Sequence, residues 1–167
     1  MGNKKRRVRS IKQALVIFAL LTALFVGVPY ALELKSEQHL LKTHFVTSSG
    51  DTETFKLEIV NTPQGRAKGL MFVKEMDSDR GMLFIFPEPR VQSFYMKNTY
   101  IPLDMLFIDS EFKVVGILED VPILNEKSRK VAKPSQYVIE LNAGTAKKHG
   151  IKIGDSVVFA AKLPAAS

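Results

Sequence analysis

The 167-residue chain contains no cysteine, which excludes disulfides, thiolate metal ligands and a cysteine nucleophile. Histidine is scarce: only His39, His44 and His149 occur. His39 and His44 stand five apart, a poorer fit to a helical metal pair than four, and no carboxylate cluster accompanies them, so no metal site is expected. A G-x-S-x-G elbow, a phosphate-cradling glycine loop and a recognisable Ser-His-Asp grouping are missing too. There is no internal repeat and no low-complexity tract. These absences point away from an enzyme, and no cofactor is expected.

Acidic residues are missing from the start of the chain, where none precedes Glu33. Basic residues crowd the same stretch: Lys4, Lys5, Arg6, Arg7, Arg9 and Lys12. The overall charge of +7 therefore misleads. Setting those six aside from the 24 basic residues leaves 18 against 17 acidic ones, a balance of +1. A nearly neutral body lacks the basic face that phosphate recognition requires, so nucleic acid is not an expected partner.

After the basic stretch comes an apolar run, ALVIFALLTALFVGV at 14–28. A charged segment before an apolar one is the layout of a secretory signal. The run is shorter than the roughly 20 residues that span a bilayer, but continuing it through Pro29–Leu32 makes an anchor helix feasible. Cleavage after Ala31 would put Pro29 where a small residue is preferred, so a cleaved signal and a retained anchor both stay open. In either case the cations hold the N-terminus in the cytoplasm and place the rest outside. Residues 1–32 are read as signal peptide or membrane anchor, 33–43 as a linker and 44–167 as a single β-rich domain in the periplasm or on the outer face of the cytoplasmic membrane.

Within the domain, HFVTS and ETFKLEIV flank the turn cluster Ser49-Gly50-Asp51 and predict a hairpin with Phe55, Leu57 and Ile59 on one face. Thr62 and Pro63 can open a short helix that Gly69 closes. Apolar runs then recur as GMLFIF, VQSFYM, DMLFID and EFKVVGIL, with Asp109-Ser110 as a turn, and read as short, largely buried strands. Residues 122–135 carry two prolines and a charge cluster and read as a mobile exposed loop. QYVIELN is a further strand, AGTAKKHG a short helix, and Gly154-Asp155 a turn before the last strand. No βαβ rhythm is visible. The expected fold is mostly β, a small barrel or sandwich with two short helices.

Four segments, RAKGLM (66–71), RGMLFIFPEPR (80–90), YMKNTYIPLDMLFID (95–109) and YVIELNAGTAKKHGIKIGD (137–155), together resemble the domain of unknown function 192 family. The resemblance implies a compact β barrel or sandwich, and a fold without an agreed activity. Many members of that family carry a Pro-Cys pair in the loop corresponding to 122–135. This chain has no cysteine there, so the resemblance implies no redox or metal role for the loop.

The densest polar group inside an apolar stretch is Met96–Asp104, MKNTYIPLD. Lys97, Asn98, Thr99 and Asp104 supply a cation, an amide, a hydroxyl and a carboxylate, enough to hold a small polar or anionic ligand, with Arg66 joining them. Turn chemistry accounts for the same residues: Asn98 and Thr99 close a turn, Pro102 stiffens it, and Asp104 pairs with Lys97 or Arg66. Phe84, Phe86, Phe94, Tyr95, Phe107 and Phe112 read as core. The expected function is that of an exported envelope domain, a non-enzymatic ligand-binding or accessory module. The alternatives are a hydrolase or transferase with Asp104 as general base and Lys97 as its electrostatic partner, and a module that docks another envelope protein through 122–135. Membrane contact is expected through residues 14–32 if the leader is retained.

Overall fold

A computed structural model of the chain describes residues 40–167. The leader expected at 1–32 and the linker up to residue 39 lie outside the described residues. The first strand, β1 (Leu41–Thr47), starts within the stretch read as linker, because Leu41 is buried against the core and Leu41–Thr43 pair with Leu57–Phe55.

The described chain is mostly β, with two short helices. After β1 come β2 (Gly50–Asp51), β3 (Phe55–Val60), α1 (Pro63–Lys68), β4 (Arg80–Arg90), β5 (Phe94–Met96) and β6 (Leu103–Ile108). The chain continues through β7 (Val114–Val121), β8 (Asn125–Arg129), β9 (Ser135–Asn142), α2 (Thr145–Lys148) and β10 (Ser156–Phe159). The main sheet runs β10-β1-β3-β4-β9-β6-β7 and curls into a half barrel, with β2 paired to β1. Its two ends meet at one bridge, Lys113 to Ser156. β5 and β8 form a separate two-stranded ribbon.

The central strands β4, β6 and β9 are buried on both faces. Leu83 and Ile85, Leu106 and Ile108, and Ile139 and Leu141 point into one apolar cluster. Met82 and Phe84, Met105 and Phe107, and Val138 belong to a second on the opposite face. A strand covered on both sides has no wet face, which is why these segments read as continuous apolar runs rather than alternating ones.

Both helices form in the segments expected of them, α1 between its expected caps. The Thr62 hydroxyl accepts from Gly65 N at 3.1 Å, Pro63 opens α1, and the Gly69 N–H donates to Gly65 O at 2.8 Å. The Asp109 turn is built by one carboxylate oxygen accepting from Glu111 N and Lys113 N, both at 2.9 Å.

Two expectations are corrected. β3 and β4 run parallel, with α1 crossing between them, so one βαβ-like unit is present in an otherwise antiparallel sheet. A six-residue helix is too short to announce a crossover in the periodicity. The 122–135 stretch contains β8, whose backbone pairs with β5. Its residues NEKSR are polar because the ribbon faces water, so the pattern hid a strand whose stabilisation comes from backbone pairing.

Candidate functional site

A cavity of about 230 Å³ opens between α1, the chain just after it, β4 and β5. Arg66, Lys68 and Gly69 line it from the helix side, Phe84 and Phe86 from β4, and Phe94 and Tyr95 from β5. Gly69 lets the chain pass close over the aromatic wall. It has φ +47°, and a Cβ there would lie 3.2 Å from the Phe84 ring. Phe94 is the hub of that wall, packing edge-on against Phe84 at 5.2 Å, Phe86 at 6.2 Å and Phe107 at 5.9 Å between ring centres.

Glu140 enters this cavity from β9. Its register neighbours are Met82 on β4 and Met105 on β6, both buried, so the carboxyl rises between two thioether side chains. The residue is only 4% exposed. Among the described residues no hydrogen bond or ion pair reaches its carboxyl. Burial without a counter-charge penalises the ionised form, and the pKa is pushed up from 4.5 to about 8. Glu140 therefore carries its proton at neutral pH and presents a group that can donate as well as accept.

The residues singled out in the sequence separate into two groups. Arg66 and Thr99 line the cavity; Lys97, Asn98 and Asp104 do not. Arg66 is fixed in place: Nη1 donates to Asn61 O at 2.8 Å and Ile85 O at 3.0 Å, Nη2 to Ser167 O at 3.0 Å, and the guanidinium lies 5.4 Å from the centre of the Phe86 ring. Thr99 is buried, with its hydroxyl donating to Lys97 O at 3.3 Å. Lys97 is exposed and stands 3.8 Å from Glu126. Asn98 takes a positive φ of 51° in the turn, and its carbonyl accepts from Phe72 N at 2.8 Å.

Asp104 pairs with neither Lys97 nor Arg66. Its side chain is fully buried, and backbone N–H groups occupy it: Asp120 N and Gly144 N donate to Oδ1 at 2.9 and 3.1 Å, and Ala146 N donates to Oδ2 at 2.8 Å. It ties α2 to the sheet. Three fixed donors satisfy the carboxylate as a counter-ion would, without the cost of burying a second charge.

Sequence reading missed Glu140 because an acid within YVIEL looks like a solvent-facing strand position. The available signal was its company: Val138, Ile139 and Leu141 surround it in a strand with no wet face. The aromatic residues assigned to the core are divided. Phe107 is buried there and Phe112 packs against the core; Phe84, Phe86 and Phe94 belong to it and also face the cavity, and Tyr95, 47% exposed at the cavity, is not a core residue. No group of His, Asp or Glu among the described residues could hold a metal ion.

No curated protein matches the chain. Among solved structures it is similar to a putative transcription regulator from Sinorhizobium meliloti 1021, with 40% identity, a TM-score of 0.69 and coverage of 72% of this chain and 94% of the other. It is also similar to a protein of unknown function from Novosphingobium aromaticivorans DSM 12444, with 34% identity, a TM-score of 0.69 and coverage of 71% and 84%. The model of the family described as "Uncharacterized ACR" matches residues 44–159. The chain belongs to that family, the domain of unknown function 192 family.

Proposed function

We propose that the protein is an exported envelope domain that binds a small polar ligand in the cavity bounded by Arg66, Thr99 and Glu140, without transforming it. One observation carries this reading: Glu140 is a buried carboxyl without a partner at the wall of an open cavity. An ionisable side chain in that position costs stability, and such costs concentrate where a ligand offsets them. Binding rather than catalysis is favoured by the state of the hydroxyls around it. Ser93 Oγ is 2.7 Å from Ser128 Oγ, and Thr99 donates to Lys97 O, so neither is held by Glu140 as a base would hold a nucleophile.

Export is supported by the one-sided basic flank of the apolar run at 14–28. The regulator designation of the Sinorhizobium protein is not carried over, because the balance of +1 outside the N-terminal cations gives little attraction for DNA. A thermal-shift screen of small polar metabolites and cell-wall fragments against the full-length chain tests the binding reading. A stabilising compound whose effect disappears in Glu140→Gln is expected. A screen with no stabilising compound, or a hit that Glu140→Gln binds unchanged, overturns it.

A further inference from the structure

The cavity presents cations at one wall and a buried, ionisable carboxyl at another. Arg66 and Lys68 sit on the last turn of α1, and Glu140 on β9. No ion pair joins them, and burial alone accounts for the state of the Glu140 carboxyl. Arg66 is held by three backbone oxygens, one of them on Ser167, the last residue of the sequence, which leaves its Nε–H and one Nη2 N–H without an acceptor among the described residues. Between these poles lie Phe84, Phe94 and Tyr95. The volume of about 230 Å³ falls below the roughly 300 Å³ at which pockets for drug-sized ligands begin, so the occupant is small.

We propose that the cavity takes a small zwitterion of the α-amino-acid type, with its ammonium group on Glu140, its acid group toward Arg66 and Lys68, and its apolar body along Phe84, Phe94 and Tyr95. This rests on the cavity being a ligand site. Each simpler ligand leaves one wall unanswered. A plain cation meets Glu140 but faces two cations across the cavity. A plain anion answers Arg66 and Lys68 but brings no cation to the buried Glu140 carboxyl, which stays protonated and gains no ion pair. A zwitterion answers both, and its ammonium also gains from the negative faces of the rings.

Protons balance across the binding step. Glu140 enters as a carboxylic acid; the ligand enters as ammonium carboxylate; the complex holds carboxylate against ammonium, and the displaced proton goes to solvent. Binding at pH 7 therefore releases close to one proton per ligand, and less above pH 8.

Calorimetric titration of the full-length chain with L-alanine, L-leucine and L-phenylalanine tests this, alongside isopentylamine and 4-methylpentanoate, which are leucine without its acid and without its amine. At least one amino acid is expected to bind about tenfold or more tighter than either truncated probe. Repeating the titration at pH 7 in two buffers of different ionisation heat should show the released proton. Glu140→Gln should lose both that proton and about tenfold in affinity for the amino acid, with 4-methylpentanoate unchanged. If no amino acid binds, if 4-methylpentanoate binds as tightly as leucine, or if no proton is released, the inference falls. The filling variant Ser93→Trp separates the two readings. A truncated probe that binds and is excluded by Ser93→Trp keeps the cavity as a site while overturning the zwitterion; a probe that Ser93→Trp binds unchanged is not in the cavity at all.

Discussion

Two acids, Asp104 and Glu140, lie opposite neighbouring positions on the paired strands β6 and β9, and their environments separate their roles. Glu140 keeps its proton to about pH 8 when folded and releases it near 4.5 when unfolded. Between those values the folded state binds the additional proton, so stability falls as pH rises through the interval and levels off above it. The loss amounts to at most about 5 kcal/mol. No acid or base faces the carboxyl from Met82 or Met105, and the cavity's other charged side chains are Arg66 and Lys68. Urea midpoints at about pH 5 and about pH 9 should show a decline in the wild type that is largely absent from Glu140→Gln. Parallel curves would mean that water or a neighbouring group already satisfies the carboxyl. Asp104 has a structural role: Asp104→Ala strands the buried N–H of Ala146, removes the acceptor of Gly144 N, and should cost on the order of 3 kcal/mol in urea unfolding, with ligand affinity unchanged. A selective loss of affinity without lost stability would return Asp104 to the site. The sequence drew attention to Asp104, which sits beside an evident turn, and passed over Glu140, whose setting depends on register across three strands.

At the scale of elements, whatever local chemistry controls was legible, and whatever long-range pairing controls was not. Thr62, Pro63 and Gly69 delimit α1 from within a few residues, and the Asp109 turn is closed by its own carboxylate. The parallel pairing of β3 with β4 and the pairing of β8 with β5 join distant segments, so neither left a periodic trace. Gly81 marks the tightest of these joints. It lies between Leu57 on β3 and Leu141 on β9, and a Cβ there would stand 2.5 Å from the Glu140 carbonyl oxygen and 2.6 Å from Leu141 Cδ2. Because the nearest atom is backbone, no rotamer change relieves the clash, and β4 must move away from β9. Gly81→Ala should cost about 2 kcal/mol or more, read as a lower thermal midpoint. An unchanged midpoint would show that the β4–β9 joint gives more than its closeness implies.

For the whole molecule, the two chemistries of the chain are segregated along its length. Six cations and an apolar run lie ahead of a body whose charges almost cancel, and among the described residues no helix is long and apolar enough to cross a membrane. Under the proposed envelope location, the apolar run at 14–32 is the segment that would attach the chain, and the cations before it would set the direction of insertion. A fusion of the full-length chain to alkaline phosphatase, which is active only outside the cytoplasm, should be active, and deleting residues 1–32 should leave the fusion inactive in the cytosolic fraction. Replacing Lys4, Lys5, Arg6, Arg7, Arg9 and Lys12 with glutamine tests the cause rather than the address. It leaves the apolar run intact and removes the charge that orients it, so reporter activity should fall several-fold. Full activity in that variant would show that the apolar run alone directs export, and an inactive wild-type fusion with the intact chain in the cytosol would overturn the envelope location while leaving the Glu140 cavity to be tested separately.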